Sequence, residues 1–161
     1  MKIPANKCIM TIRYTQYRNI DFITEHKKLV DRFGSVWMLK VGRKIPIVSL
    51  EEVARESGII ILKAPKVAGG QFYIAPLISY HNGMPLKDFN YPEYYEDMID
   101  SQKEYEITLD GTWLEIGIIS PLPADALNSM LMKKSGKKLL DVIGSTRTSI
   151  MYAVCESELV L

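Results

Sequence analysis

Three strand-like runs between residues 34 and 80 decide the fold expected of this chain. They read GSVWMLKVGRK (34–44), GIIILKAPK (58–66) and QFYIAPLISY (71–80). All three runs are rich in aliphatic residues; the first adds Trp37 with Lys40 and Arg43, the second adds Lys63 and Lys66, and the third adds the aromatic residues Phe72, Tyr73 and Tyr80. Aliphatic and aromatic residues of this kind favour a pleated, half-buried surface. We therefore predict three strands, in a small curved sheet whose rings and cations suit a flat anionic ligand such as a base.

The segments that precede and separate these runs predict one more strand and two helices. Apolar and polar residues alternate over 7–15, which predicts a first strand. A helix should follow, capped by Asn19 or Asp21 and ended by Gly34. The SLEE run at 49–52 has the form of a capping box and predicts a second, short helix.

Later segments are punctuated by proline and glycine. The run at 59–63 is aliphatic enough to be buried on both faces. We expect a turn at 67–70, an edge position or bulge at Pro76, and a loop over 81–92. Asp110-Gly111 predicts a hairpin between strands at 105–109 and 112–120. Two helices and a closing strand are then predicted at 125–134, 137–143 and 150–155.

The order and length of these elements favour a single α+β domain over residues 1–161. Strands outnumber helices, and most connections are short. Two architectures fit: a mixed or antiparallel curved sheet, or a small β-barrel, with peripheral helices in either case.

Composition places the chain among ordinary globular proteins. It is 47% hydrophobic and 24% charged, and no apolar stretch approaches the ~20 residues needed to span a bilayer. The first ten residues lack the pattern of a secretory signal. Cys8 and Cys155 fit two free thiols in a reducing compartment. We therefore expect a cytoplasmic protein without a membrane partner.

The charges are unevenly distributed. Residues 1–66 hold 13 Lys/Arg and 6 Asp/Glu, a net of +7, whereas residues 67–110 hold 2 and 8, a net of −6. Two interpretations follow: a basic binding face opposite an acidic one, or an acidic stretch that is simply a solvated loop and helix.

Motifs of common enzyme classes are absent from the sequence. It has no phosphate-binding glycine loop, no dinucleotide fingerprint and no nucleophile elbow. His26 and His81 lack ligand spacing and are expected at the surface. Carboxylates at 93, 96, 97 and 100 share a helix face, which suits a solvated surface better than a metal site. We expect no catalytic residue, no metal and no cofactor.

Several side chains nevertheless suit binding. Trp37 is either a core residue or a stacking platform, and Lys40 and Arg43 near the same strand end are placed for phosphate. Tyr94 and Tyr95 are adjacent on a short helix, so one of them should face a pocket or an interface. The loop STRTS at 145–149 offers Ser145 and Arg147 to an anion, or is a strand-entry turn with a surface arginine.

The chain resembles the PUA-like superfamily, which includes EVE and YTH domains. The resemblance lies in SVWMLKVGR, in IIILKAPK followed by GGQFYIAPLI, in PEYY and in the closing STRTSIMYAV. Members are small pseudobarrels, and several recognise RNA or flipped modified bases in an aromatic-lined pocket. The resemblance implies pocket walls at Trp37, Tyr73 and Trp113, and backbone or phosphate contacts at Lys40, Arg43 and Arg147.

Three functions remain open at this point. The first is a nucleic-acid reader that recognises a modified or flipped base. The second is a protein-interaction module, such as a host-defence or viral accessory factor, with the tyrosine-rich acidic segment 91–106 as its interface. A nucleotide-processing enzyme ranks last, because its carboxylates have no ordered partner in the sequence.

Overall fold

The fold is that of a computed structural model, which describes residues 1–101 and 108–161, leaving aside the side chains of residues 100 and 101. Ten strands, four α-helices and two short 3-10 turns are described. The strands are β1 Lys2–Ile3, β2 Ile9–Arg13, β3 Val36–Lys40, β4 Ile59–Lys63, β5 Phe72–Gly83, β6 Gly111–Ile116, β7 Ser120–Leu122, β8 Met130–Met132, β9 Ile150–Cys155 and β10 Leu159–Val160. The helices are α1 Phe22–Phe33, α2 Ile47–Glu56, α3 Tyr94–Ser101 and α4 Leu139–Ser145, and the 3-10 turns are Lys66–Ala68 and Ala124–Ser129.

Eight of these strands form one mixed sheet. Its order is β3-β6-β5-β4-β2-β9-β8, with β7 added beside β5, while β1 and β10 pair separately. Strands β2 and β4 are parallel, because the long connection α1–β3–α2 lets the chain cross over, and the other pairs are antiparallel. The α+β prediction is confirmed. The sheet ends at β3 and β8 and does not close, so the barrel alternative is wrong.

Strand β5 joins two portions of this sheet. Its first residues pair with β7, and its last residues pair with β6 after a register shift between Leu77 and Ser79. Pro76 lies immediately before that shift and pairs with Ile59 of β4. A proline cannot donate to a ladder, and an irregularity next to it is the expected accommodation. The predicted bulge is therefore found one residue further on, and Pro76 is not on an edge.

Three apolar layers follow from the two faces of this bent sheet. The first lies under α1 and α2, the second under α4, and the third is an aromatic layer beside α3. Alternation along β3 sends Met38 into the first layer and Trp37 and Leu39 into the third, as the sequence pattern predicts. The aromatic layer therefore belongs to the portion formed by β3 and β6.

The ends of α1 follow its sequence signals. The carboxylate of Asp21 accepts a hydrogen bond from the Thr24 amide at 2.9 Å, and Gly34 ends the helix at φ +87°. The predicted strands at 59–63 and 150–155 are found with the same bounds as β4 and β9.

Two local predictions are wrong. Helix α2 begins at Ile47, directly after Pro46, and the fixed φ of proline suits the start of a helix. Ser49 therefore lies within the first turn and does not form the predicted capping box. The helix predicted at 125–134 is a 3-10 turn followed by β8, which pairs with β9. For the hairpin predicted at Asp110-Gly111, most of the first strand lies on residues 105–107, outside the described part. Its second strand is found as β6, which begins at Gly111 and pairs with β3 and β5.

Candidate functional site

Two recesses meet where β2 ends. The first is a cavity of about 110 Å³ between the ends of β2 and β3 and the start of α3. We call it the tyrosine cavity, because its walls are mainly aromatic and thioether side chains. They come from Tyr14, Phe22, Met38, Tyr94, Tyr95 and Met98.

A buried hydrogen-bonded chain supports one wall of the tyrosine cavity. Nδ1 of His26 lies 2.6 Å from the carbonyl oxygen of Phe22, and Nε2 lies 2.6 Å from the Tyr95 hydroxyl. A carbonyl can only accept, so Nδ1 carries the proton and Tyr95 donates to Nε2. The amide of Leu39 donates to the Tyr95 oxygen at 3.3 Å. His26 is fully buried, so its predicted surface position is wrong.

The aromatic walls of the tyrosine cavity and the supporting His26 are uncharged at neutral pH, whereas Arg13 and Lys40 add positive charge to its lining. Burial lowers the pKa of His26 to about 4, against the opposing effect of its backbone hydrogen bond. Burial also raises the pKa of Tyr14, Tyr94 and Tyr95 above that of a free phenol. The aromatic part of the cavity therefore suits a neutral flat group, held by ring contacts.

Lys40 brings a cation to the rim of this cavity. Its side chain is partly buried, and Nζ donates to the carbonyl of Arg43. Burial, and secondarily the charge of Arg43, lowers the pKa of Lys40. Arg43 itself is exposed and lies outside the cavity lining.

The second recess, of about 560 Å³, is the cationic groove. Its cations are Arg13, Lys63, Lys66 and Arg147, with Ser145 and Thr146 beside them, and no Asp or Glu is among its lining residues. Arg13 and Lys63 end the parallel strands β2 and β4 and are partners in register. Burial, then the charges of Arg13 and Lys66, lowers the pKa of Lys63. Uncompensated positive charge of this kind suits an anion.

Arg13 connects the two recesses, because it lines both. Its Nη2 donates to the carbonyl of Ile143, which fixes the guanidinium against α4. Its Nε is buried and has no hydrogen-bond partner within residues 1–101 and 108–161. A ligand that enters from the tyrosine cavity into the cationic groove must therefore pass this side chain.

The structure brings five of the sequence-predicted residues to these recesses. Tyr94, Tyr95 and Lys40 line the tyrosine cavity, and Ser145 and Arg147 line the cationic groove. Tyr73 instead borders a separate shallow recess with Pro121 and Gln71.

The two tryptophans lie in the aromatic layer and not in a pocket wall. Trp113 is fully buried, and its Nε1 donates to the carbonyl of Leu109 at 2.9 Å. Trp37 is only 9% exposed and stacks on Phe89 with 3.7 Å between ring centroids. Neither ring offers a free face, so the stacking role expected for them has to be met by other side chains.

Sequence reasoning missed Arg13, Tyr14, Phe22 and Met98. Arg13 is the last residue of β2, and Tyr14 follows it directly. A basic residue at a strand end next to a tyrosine was the signal that could have identified them. Phe22 stacks on Tyr14 with 4.1 Å between ring centroids, and the sequence pattern of neither segment predicts this contact. Met98 lies on α3, in a run that we interpret from the sequence by its carboxylates and tyrosines and not by its apolar residues.

Within the described part of the tyrosine-rich segment, Tyr91, Tyr94 and Tyr95 do not form an exposed patch of the kind that a protein interface needs. Tyr94 is 8% exposed and Tyr95 is 3% exposed. Tyr91 is partly exposed, and its hydroxyl donates to Glu96 at 2.6 Å, with burial raising its pKa to about 12. The remainder of the predicted interface, beyond residue 101, lies outside the described residues.

Searches for other chemistry and for similar proteins add no further assignment. In the described residues, no group of three or more His, Cys, Asp or Glu side chains is placed to hold a metal ion. None of the described helices is both long enough and apolar enough to cross a bilayer. No protein-family model matches the chain, and neither a curated protein nor a solved structure matches it significantly.

Proposed function

We propose that this protein binds single-stranded nucleic acid, with one unpaired base in the tyrosine cavity and adjacent phosphates in the cationic groove. The observation that carries the proposal is the position of Arg13, which lines both recesses. A nucleotide has the same two parts, a neutral flat ring and an anionic phosphate, side by side.

The tyrosine cavity has the chemistry that a base requires. Base–aromatic stacking contributes about 1–3 kcal/mol per base and tolerates any base, because every base has a π-face. The rim cation of Lys40 lies beside the rings, whereas the Tyr95 hydroxyl is already bonded to His26 and Leu39. The cavity is recessed, so a base in a duplex would have to unpair to enter, which favours single strands or flipped bases.

The cationic groove has the chemistry that a sugar–phosphate backbone requires. Arginine presents a planar fork to phosphate oxygens, and serine and threonine hydroxyls add neutral donors. Lys66 and Arg147 are exposed and carry no carboxylate partner in the described part of the chain. Their charge is therefore available to a ligand.

The resemblance to the PUA-like superfamily supports the same proposal, since several members recognise RNA or flipped modified bases. We also propose that the protein is cytoplasmic. Cys8 and Cys155 are both buried free thiols, and such thiols persist in reducing compartments.

The proposal is tested by fluorescence anisotropy with labelled 12-nucleotide RNA and DNA of mixed sequence, at several salt concentrations. Wild-type protein should bind in a salt-dependent manner. The groove variant, Lys66→Ala with Arg147→Ala, should bind about 10-fold more weakly, with the log–log salt slope smaller by about 1.4, because two phosphate contacts are lost.

A matched control removes one lysine and one arginine elsewhere. Lys87 and Arg55 are exposed and lie outside both recesses, so their double alanine variant should keep wild-type affinity and slope. Absence of salt-dependent binding by wild type, or equal weakening of both variants, would overturn the proposal.

A further inference from the structure

We propose a second backbone-binding surface, the lysine turn at residues 133–138, which extends the cationic groove and holds a longer strand. The inference rests on the proposed function. It identifies the ligand as a polynucleotide of several phosphates and not as a free nucleotide.

Backbone hydrogen bonds hold the lysine turn in a defined conformation. The Met132 amide donates to the Lys137 carbonyl at 2.7 Å, and the Gly136 amide donates to the Met132 carbonyl at 3.0 Å. Gly136 adopts φ +70°, the left-handed conformation that a tight turn needs. The Lys133 amide donates to the Tyr152 carbonyl at 3.0 Å, which joins the turn to β9.

Most of the charge on this turn is uncompensated. Lys133 pairs with Glu52 of α2, which neutralises that one lysine. Lys134, Lys137 and Lys138 are exposed, and none of them pairs with a carboxylate in the part of the chain that the structure describes. A lysine ammonium carries three donors on a flexible stem, which suits a phosphate whose position varies along a strand.

The lysine turn borders a recess that adjoins the cationic groove. This recess, of about 390 Å³, is lined by Lys133, Lys134 and Tyr152, together with Thr146 and Thr148. Thr146 also lines the cationic groove, so the loop 146–148 is the ridge between the two recesses. A strand that leaves the groove across this ridge reaches the lysines directly.

The ridge itself offers hydrogen-bonding groups and one cation. The hydroxyls of Thr146 and Thr148 lie 3.0 Å apart, and Arg147 between them is exposed. Residues 133–149 contain five Lys/Arg and one Asp/Glu, Asp141 on α4. Glu52 also lines the recess beside the turn, where it pairs with Lys133. Among the described residues, the cations of this segment without a carboxylate partner are Lys134, Lys137, Lys138 and Arg147. The path from the groove to the turn therefore keeps a net positive charge, which a polyanion requires.

An oligonucleotide length series separates the lysine turn from the groove. Anisotropy is measured with 3- and 12-nucleotide single strands for wild type, for the groove variant and for a turn variant, Lys134→Ala with Lys137→Ala. The Lys87→Ala and Arg55→Ala control has the same charge change. The turn variant should match wild type on the 3-mer, but bind the 12-mer about 10-fold more weakly, with a salt slope smaller by about 1.4.

Each outcome decides a different claim. If the turn variant equals the control on the 12-mer while the groove variant is weakened, the second surface is overturned and the proposed function stands; the lysines would then face another partner, such as an acidic protein. If the turn variant loses the 12-mer but the groove variant does not, the base-and-groove site is overturned and the turn is an independent polyanion contact. If wild type binds neither length, both proposals are overturned.

Discussion

The tyrosine cavity and the cationic groove share Arg13, but they are built in opposite ways. In the cavity, ring faces and hydroxyls already have partners inside the protein: Tyr14 stacks on Phe22, and Tyr95 bonds to His26. In the groove, the cations Lys66 and Arg147 have no counter-charge among the described residues. The aromatic side chains therefore contribute to stability and to the shape of the cavity, whereas the cations are the groups through which the proposed binding would act.

This difference has a direct energetic consequence. Removal of a buried ring leaves a cavity and unpaired polar groups, which destabilises the fold. Removal of an exposed cation from a cluster of like charges removes repulsion and leaves the core untouched. We therefore expect substitutions in the tyrosine cavity to change mainly the free energy of unfolding, and substitutions of groove cations to change mainly the affinity for the proposed ligand.

The largest expected effect comes from the cavity wall. Tyr95→Ala should lower the free energy of unfolding by about 3–5 kcal/mol, the range for loss of a large core ring. Tyr95→Phe should cost about 1–3 kcal/mol, because it leaves His26 Nε2 without its donor. Urea unfolding followed by circular dichroism gives both values. An unchanged unfolding midpoint for Tyr95→Ala would restore the exposed-interface hypothesis for this residue.

A smaller effect should appear on acidification. The pKa of His26 is lowered to about 4 in the folded protein, while the unfolded chain has the ordinary value near 6.5. Between these values the unfolded state binds more protons, so stability falls as pH drops from about 6.5 to about 4. The loss should approach about 3 kcal/mol, and none of it occurs above pH 7.

Urea titrations at pH 7.5 and 4.5 measure this loss. His26→Gln should remove its pH dependence and leave the remaining acid sensitivity of the carboxylates. His81→Gln is the matched control, because His81 is only partly buried and bonds to the exposed turn at Met84. Equal acid loss in wild type and His26→Gln would contradict the buried neutral imidazole.

The smallest effect is expected in the groove. Lys66→Ala with Arg147→Ala should change the free energy of unfolding by less than about 0.5 kcal/mol, since both residues are exposed. The measurement is the same urea titration, with the Lys87→Ala and Arg55→Ala variant beside it. A loss of several kcal/mol would show that the groove cations hold the fold together, and the contrast between the two recesses would fail.

Much of the fold could be predicted from local signals. The caps at Asp21 and Gly34, the alternation along β3 and the bounds of β9 are properties of neighbouring residues, and they follow the sequence. The capping box at Ser49 failed because Pro46 supplies an earlier helix start. Ser49 and Pro46 both signal a helix start, and Pro46 determines the start because its ring fixes φ.

The site could be predicted only in part. Lys40, Ser145 and Arg147 stand out as polar residues at the ends of strands or in a loop before one. The importance of Arg13 depends on the parallel pairing of β2 with β4, which brings Lys63 beside it. Of the two alternatives for Trp37, the core position is the one found, because Phe89, from a distant loop, stacks on its ring. These are tertiary contacts, and no pattern within one segment encodes them.

The bond between Arg13 and the Ile143 carbonyl joins residues 130 positions apart. Strand β2 is also flanked by β4 and by β9, so its partners are separated widely along the chain. On a ribosome, the strand that carries Arg13 emerges long before β9 can pair with it. Ligand-binding competence should therefore arise only when synthesis has passed residue 155, and nascent chains stalled earlier should be inactive whatever their other folded parts.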